Sequence, residues 1–368
     1  MPTGKISFHK IIRCLPSCKS IAVFSCFVLR MKAPLLTFTD KGIYCAAADV
    51  YIDPWKPVSR ALITHGHSDH ARWGSQHYLC TEAAQPVIKY RLGQVSIQTI
   101  PYGEVLTIQG VQFSFHPAGH IVGSAQIRVA HRGEVWVVSG DYKLEDDGVS
   151  GAFEPLRCDT FITESTFGLP IYHWKPQEEV FADMNAWWLE NQAQDKVSVI
   201  TAYALGKAQR ILKGLDLSIG PVFTHGAIEN TNEILRSQGV LLPATRRVLP
   251  GNRKSGYSGG LVLAPPAAVD TLWMRQFKSY SLGVASGWMA MRGTRRRRNA
   301  DRGFVLSDHA DWPGLNQAIR ETGAGRIVVT HGYTELFSQW LRSTGLEAQA
   351  EKTAFEGEVL ESTQPDNE

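Results

Sequence analysis

Residues 65–70 read His-Gly-His-Ser-Asp-His and place four possible metal ligands within six positions. They follow a short apolar run that predicts the end of a buried strand. On an extended segment His65 and His67 point to the same side, and Asp69 and His70 follow where the chain turns. One zinc ion takes about four ligands and leaves one position for water in catalytic sites. Four ligands this close together therefore indicate two metals side by side and not a solvated His-rich loop.

The pattern His-x-His-x-Asp-His after a hydrophobic strand resembles the signature of hydrolases with the metallo-β-lactamase fold. That fold is a four-layer αββα sandwich with a di-metal site at one edge of its two sheets, and it implies further ligands at later strand ends. His120 in Phe-His-Pro-Ala-Gly-His and Asp141 in Val-Val-Ser-Gly-Asp match the next two motifs. Asp53 resembles the aspartate that orients the histidines from behind, and Asp49 is a nearby alternative.

Three later strand-like segments end in a carboxylate or a histidine. Glu164 lies in Thr-Glu-Ser-Thr, His309 follows the predicted strand that begins at Val305, and His331 lies in Thr-His-Gly. One such residue is more often structural than catalytic. The ordered set, however, resembles motifs A, B and C of the β-CASP nucleases, a branch of the same fold that cleaves nucleic acids.

The resemblance implies a role for each motif residue. The first metal would be bound by His65, His67, His120 and Asp141. The second would be bound by Asp69, His70, Asp141 and His331, so that Asp141 bridges the two ions. His309 would protonate the leaving oxygen and Glu164 would orient it, with Glu164 as general base the alternative. Asp69 belongs with His309 and Glu164 among the residues that catalysis requires. Imidazole and carboxylate ligands suit zinc best, and manganese is a plausible substitute.

The same resemblance divides the chain, whose fold class is α/β. Residues 31–172 and 302–360 would form the metallo-β-lactamase domain, and residues 173–301 an inserted β-CASP cap. Strand-helix alternation inside the cap predicts a small parallel sheet covered by helices. Residues 1–30 read as an extension upstream of the conserved part or a misassigned start, and residues 361–368 as a disordered tail.

Composition limits the compartment and the partners. Residues 1–30 have five basic side chains, no acidic one and a short apolar run, a pattern that also resembles a targeting peptide or a folded accessory segment. No apolar run is long enough to cross a membrane, and the scattered cysteines predict free thiols in a reducing, cytoplasmic compartment. The net charge of +3 permits an anionic partner without proving one.

Two basic features are candidates for binding nucleic acid. Arg295, Arg296, Arg297 and Arg298 stand just before the predicted active-site strand and could bind phosphates, although such runs are usually solvated loops. Lys207, at a predicted strand-to-helix turn, could bind a phosphate or be an ordinary surface lysine.

The choice between DNA and RNA rests on resemblance alone. A histidine at motif C is typical of the RNA-cleaving branch. The compact cap and the whole span from Leu35 to about Leu360 resemble the bacterial ligase-associated DNA exonucleases. We therefore expect DNA ends as substrate, with RNA processing as the alternative, and an ATP-dependent DNA ligase and a helicase as functional partners.

Overall fold

Three β-sheets organise the computed structural model, which describes residues 33–249, 256–291 and 299–354. The first sheet has six strands in chain order: β1 (Thr37–Phe38), β2 (Ile43–Cys45), β3 (Val50–Ile52), β4 (Arg60–Leu62), β5 (His77–Thr81) and β6 (Ile97–Ile100). The first three strands pair antiparallel and the last four parallel.

The second sheet joins an antiparallel half to a parallel half. Its seven strands are β7 (Val105–Ile108), β8 (Val111–Pro117), β9 (Ala125–His131), β10 (Glu134–Val138), β11 (Thr160–Ser165), β18 (Arg326–Gly332) and β19 (Glu347–Ala350), in the order β19-β18-β11-β10-β9-β8-β7. Val111, Phe113 and Phe115 recur every second residue of β8 and are fully buried. They join Ile43 and Val50 of the first sheet in one apolar cluster, which shows that the two sheets face each other.

Helices cover both outer faces of this pair of sheets. The α-helices of the described residues are α1 (Gln85–Leu92), α2 (Gln177–Ala193), α3 (Lys207–Gly214), α4 (Gly226–Ser237), α5 (Trp312–Thr322) and α6 (Thr334–Ser343). Ile88 of α1 packs with Ile63 and Tyr78 against the first sheet. Leu315 of α5 and Phe337 of α6 pack against the second. The result is the expected αββα sandwich.

The third sheet is entirely parallel. Its strands are β12 (Val197–Thr201), β13 (Val222–Thr224), β14 (Arg246–Arg247), β15 (Leu261–Ala264), β16 (Tyr280–Ala285) and β17 (Arg302–Phe304), in the order β14-β13-β15-β12-β16-β17. Every residue of β12 is buried, as expected for a parallel strand covered on both faces. Residues of α2, α3 and α4 pack on one face. On the other face lie Met274, in the 3-10 turn Leu272–Gln276, and Phe277, which follows that turn. Two further 3-10 turns are Pro266–Ala268 and Gly287–Ala290.

The strand predicted from Val305 towards His309 is wrong. The regular strand there is β17, which ends at Phe304 and pairs with β16 of the third sheet. The residues after it turn locally, because the Ser307 hydroxyl accepts a hydrogen bond from the amide of His309 at 3.1 Å. Such a side-chain turn competes with strand pairing. The predicted boundary at 301/302 therefore lies just before a strand of the third sheet.

Three further expectations concern the chain ends, membrane-spanning helices and the cysteines. The predictions for residues 1–30 and 361–368 lie outside the described residues. Across the described ranges, no helix is long and apolar enough to cross a membrane. Cys45 and Cys80 are buried free thiols and Cys158 is a half-buried one, and burial raises the pKa of Cys80 to about 12.

Candidate metal centre

Side chains from the ends of three strands converge at one edge of the sandwich. His65 and His67 follow β4, His120 follows β8 and Asp141 follows β10. His67 Nδ1 lies 3.1 Å from His65 Nε2 and 3.0 Å from His120 Nε2. Asp141 Oδ2 lies 3.6 Å from His65 Nε2 and 3.8 Å from His120 Nε2. Two nitrogens on one tetrahedral zinc are about 3.3 Å apart, because each Zn–N bond is about 2.0 Å. The four side chains predicted for the first metal thus have the spacing of ligands around one ion.

Hydrogen bonds on the far ring nitrogens select the tautomers of these histidines. His67 Nε2 lies 3.1 Å from the carbonyl oxygen of Leu205. His120 Nδ1 lies 2.9 Å from the carbonyl oxygen of Asp308. A carbonyl only accepts, so His67 Nε2 and His120 Nδ1 must be the protonated nitrogens. His67 Nδ1 and His120 Nε2 consequently face the site with free lone pairs, as metal binding requires.

Asp53 performs the same task for two other histidines. Its carboxylate accepts hydrogen bonds from His70 Nδ1 at 2.7 Å and from the amide and hydroxyl of Thr64 at 2.8 and 2.6 Å. The Thr64 hydroxyl, having donated to Asp53, can accept from His65 Nδ1 at 3.1 Å. His65 and His70 therefore both turn Nε2 towards the centre.

The alternative for this role, Asp49, lies elsewhere. Its carboxylate is 3.1 Å from Arg60 and accepts a hydrogen bond from Tyr44, and its side chain is 58% exposed. The structure thus places Asp53 behind the metal-ligand candidates and Asp49 in a surface ion pair.

The side chains predicted for the second metal surround a buried atom without a partner. His70 Nε2 is buried and has no hydrogen-bond partner among the described residues. It lies 3.5 Å from Asp141 Oδ2 and 3.7 Å from Asp69 Oδ2. The ring of His331 is centred 5.4 Å from that of His70. An orphaned buried nitrogen is costly, and a cation bound between these groups would give it a partner. Asp141 contacts both sets.

Backbone strain directs His331 into this cluster. Its φ of 51° is in the left-handed region, which a non-glycine residue rarely adopts. The register between β11 and β18 also shifts at Glu164 and Ser165, and such bulges re-aim side chains next to active sites. The Thr330 hydroxyl donates to the carbonyl of Thr163 and lies 3.1 Å from His331 Nδ1. His331 therefore also turns Nε2 towards the centre.

The charges of the cluster suit a cation. Burial lowers the pKa of four histidines, which are His65, His67, His120 and His331. They are neutral at neutral pH, the state in which imidazole binds a metal. At His70 burial opposes the charge, but Asp141, Asp69 and Asp53 outweigh it and hold the pKa well above 6.5. At Asp141 burial is likewise outweighed, chiefly by His70 and then His309, so its pKa lies well below 3.8.

A buried histidine–glutamate pair adjoins the cluster. His309 Nδ1 lies 2.8 Å from Glu164 Oε2 and 3.0 Å from Oε1. Glu164 also accepts hydrogen bonds from the amide of Tyr142 at 2.8 Å and the hydroxyl of Thr166 at 2.5 Å. The His309 ring is centred 4.7 Å from the ring of His120. Glu164 therefore holds His309 in one orientation directly beside the first ligand set.

Lys207 begins α3 after β12, at the predicted strand-to-helix turn, but its side chain is not at the surface. It is fully buried, its ammonium is 3.6 Å from Asp308 Oδ2, and it lies over the ring of Tyr203. The alternative of an ordinary surface lysine is therefore wrong, because the turn that carries Lys207 packs against His67 through the Leu205 carbonyl. Phosphate binding by Lys207 stays a prediction. The other nucleic-acid candidates, Arg295, Arg296, Arg297 and Arg298, lie outside the described residues.

Sequence reasoning missed the part that the third sheet plays here. The turn before α3 supplies the Leu205 carbonyl to His67, and Asp308 supplies its carbonyl to His120. Main-chain carbonyls belong to every residue type, so no side-chain pattern points to them. The one available signal was Gly206, whose φ of 93° marks a tight turn. A Cβ at Gly206 would lie 2.3 Å from Ile121.

Comparisons with known proteins connect this architecture to nucleic-acid enzymes. A protein named probable DNA ligase from Opitutus terrae is 31% identical over 315 residues, which are 84% of this chain and 30% of that protein. Cleavage and polyadenylation specificity factor 73 of Drosophila melanogaster is 26% identical over 187 residues, covering 47% of this chain and 26% of that protein. The endoribonuclease YSH1 of Yarrowia lipolytica is 32% identical over 124 residues, 33% of this chain and 14% of that protein.

Two further comparisons concern the fold and the family models. The chain spans less than a third of the length of each of these three relatives. A solved structure, a protein of unknown function from Enterococcus faecalis V583, superposes with a TM-score of 0.55 at 10% identity, over 81% of this chain and 80% of that one. That likeness concerns the fold alone. No family model matches the chain.

Proposed function

Since the chain belongs to the β-CASP branch of the metallo-β-lactamase fold, we propose that it is a metal-dependent nuclease that hydrolyses phosphodiester bonds at DNA ends. One observation supports this most strongly. The buried His309–Glu164 pair adjoins the His65, His67 and His120 cluster, so a group that could donate a proton stands beside a site built for a cation. Phosphodiester hydrolysis needs both, because the phosphate is anionic and the leaving alkoxide is a poor leaving group.

The donor set fits two zinc ions, with manganese a possible substitute. Metals bound there would supply Lewis-acid stabilisation of the phosphate and lower the pKa of a coordinated water. The protein residues hold the ligands in their binding tautomers, as Asp53 does for His70, and keep Asp141 ionised. The first set is His65, His67, His120 and Asp141. The second set is Asp69, His70, Asp141 and His331.

His309 would act on the leaving oxygen. Its Nδ1 is held by the Glu164 carboxylate, which stabilises the protonated ring and aims the other nitrogen. Glu164 itself accepts hydrogen bonds from the amide of Tyr142 and the hydroxyl of Thr166, so both of its oxygens already serve as acceptors in fixed positions. That environment favours Glu164 as an orienting group over Glu164 as the general base.

The length of the sequence match favours DNA. The relative named probable DNA ligase matches 84% of this chain, which includes the third sheet, whereas the endoribonuclease YSH1 matches 33%. We propose that the third sheet and its helices, within residues 173–301 and the adjoining β17, form the cap over the site. RNA processing is the alternative, because the Drosophila and Yarrowia relatives are a polyadenylation factor and an endoribonuclease by name.

The same relative suggests the partners. Its match to this chain is 30% of its own length, so a segment like this chain exists within a protein named as a ligase. We infer that this protein works with an ATP-dependent DNA ligase. The association with a helicase and the cytoplasmic location are proposed from family resemblance and from the free thiols.

Labelled substrates test the proposal. Zinc- or manganese-loaded protein should shorten single-stranded or duplex DNA from its ends, and Asp69→Ala should abolish this. Strands labelled at either terminus report the polarity and distinguish exonuclease from endonuclease action. RNA turnover at a much higher rate than DNA turnover would reject the DNA assignment and support RNA processing. No cleavage of either would reject nuclease function.

A further inference from the structure

A buried arginine of α3 joins three segments around the catalytic pair. Arg210 is 2% exposed. Its guanidinium donates to the carbonyl of Ser307, to Glu145 at 3.0 Å and to Gln177 Oε1 at 3.0 and 2.9 Å. Arginine is suited to this, because its planar fork presents five donors in fixed directions. The described contacts of Arg210 therefore tie the buried carbonyl of Ser307 to the partly exposed side chains of Glu145 and Gln177.

The hydrogen bond to the Ser307 carbonyl fixes the backbone two residues before His309. The Ser307 hydroxyl accepts from the amide of His309, and the next carbonyl, that of Asp308, accepts from His120. The segment 307–309 is thus held by Arg210 on one side and by a metal-ligand candidate on the other. Its residues lie beyond β17, where sheet hydrogen bonds have ended, so these side-chain bonds replace the sheet in fixing the backbone.

Arg210 shares its carboxylate partner with a second buried cation. Lys143 is buried 3.1 Å from the same Glu145 carboxylate. Burial first, and then repulsion by Arg210, lower the pKa of Lys143 to about 8. Two cations thus share one acidic partner. Glu145 therefore does not hold Arg210 alone, and the hydrogen bonds to Ser307 and Gln177 complete the contacts of the guanidinium.

We propose that Arg210 is a positioning residue that sets the direction in which His309 offers its proton to the leaving group. The expected effect on the cleavage rate rests on the proposed function, whereas the effect on the position of His309 does not. From α3, Arg210 fixes the backbone that carries His309, while Glu164 fixes the ring. The two constraints together define the approach of the proton, and a displacement of about 1 Å at such a site can reduce the rate by roughly 100-fold.

Arg236 provides a matched control. It is also a cap arginine with a carboxylate partner, Glu229 at 2.9 Å, and it donates to the hydroxyl of Thr245 at 2.9 Å and to a main-chain carbonyl at Pro243. None of these contacts involves the segment 307–309. Arg236→Met should therefore lower the melting temperature without affecting His309.

The kinetic test compares two substrates in the zinc-loaded full chain. One is DNA and the other is bis(4-nitrophenyl) phosphate, whose leaving group needs no proton. With Arg210→Met we expect kcat on DNA to fall by roughly 100-fold, KM to change little, and the rate on the activated ester to fall by less than about threefold. Arg210→Lys keeps the positive charge but not the planar fork of donors, so its kcat on DNA should fall by an intermediate amount. Equal losses of rate on DNA and on the activated ester with Arg210→Met would overturn the proposal, and so would an increase in KM alone. The same ratio of the two losses in Arg236→Met would also overturn it.

A structural readout keeps the inference separate from the proposed function. The imidazole proton shared by His309 and Glu164 should give a downfield NMR signal, identified by its loss in His309→Asn. Arg210→Met should shift or broaden that signal, while Arg236→Met leaves it in place. An unchanged signal in Arg210→Met rejects the positioning role even if the protein cleaves DNA. A protein that cleaves no phosphodiester but shows the selective shift rejects nuclease function and retains the positioning role.

Discussion

Replacing Asp53 by asparagine should weaken the second metal site through a change of tautomer. The Asp53 carboxylate accepts from His70 Nδ1 at 2.7 Å and from Thr64 at 2.8 and 2.6 Å. In Asp53→Asn the amide oxygen can still accept from the Thr64 amide, but the amide nitrogen then faces His70 Nδ1. In its neutral, metal-binding form His70 then avoids two opposed donors by carrying its proton on Nε2, the atom that would bind the metal.

The expected size of the effect follows from these contacts. A charged hydrogen bond contributes about 1.5–3 kcal/mol, and loss of a carboxylate behind a ligand histidine typically weakens metal binding by about 10- to 100-fold. We therefore expect one of two zinc ions to bind about 10- to 100-fold more weakly in Asp53→Asn. Titration of the metal-free protein against a chromophoric chelator measures both affinities and the stoichiometry.

Asp49→Asn is the control for this measurement. Asp49 is exposed and paired with Arg60, so its replacement should leave both zinc affinities unchanged. Thermal denaturation of both metal-free variants shows whether folding is retained. Two unaltered zinc sites in Asp53→Asn, or equal weakening in Asp49→Asn, would refute the role of Asp53 in selecting the tautomer.

Three other outcomes are expected. Glu164→Gln removes the charge that holds His309, so kcat on DNA should fall by about 10- to 150-fold, the equivalent of a charged hydrogen bond. Full loss on an activated phosphodiester as well would contradict an acid role. The carboxylate neighbours of His70 outweigh burial and raise its pKa well above 6.5. Metal uptake at neutral pH must therefore displace a proton from His70. Zinc affinity should rise with pH until the pH passes that raised pKa. Calorimetry in buffers of different ionisation enthalpy measures this release, which His70→Asn should abolish. Gly206→Ala brings a Cβ within 2.3 Å of a neighbouring side chain at φ of 93°, so the melting temperature and zinc retention should both fall. Gly93→Ala has a φ of 73° and nothing within 4 Å, so it should show the backbone strain alone and keep its zinc.

The candidate ligands and their order along the chain could be proposed from sequence because they depend on local features. The cluster 65–70, His120 and Asp141 each follow a recognisable strand, and the strand 222–224 is where its apolar residues indicated. A histidine after a strand that is buried in a sheet emerges at the sheet edge whatever the rest of the chain does. Val305 shows the limit of this reasoning. Its apolar character suited a strand, but the Ser307 hydroxyl turns the chain instead.

Only the tertiary structure decided how these ligands are held and what surrounds them. His67 is oriented by a carbonyl 138 positions away, His120 by one 188 positions away, and His309 by a carboxylate 145 positions away. Lys207 reads in sequence as either a phosphate ligand or a surface residue, and it is buried where its turn contacts His67. Donor chemistry belongs to single residues and is visible in sequence. Tautomer, orientation and burial are set by distant partners, which local periodicity does not encode.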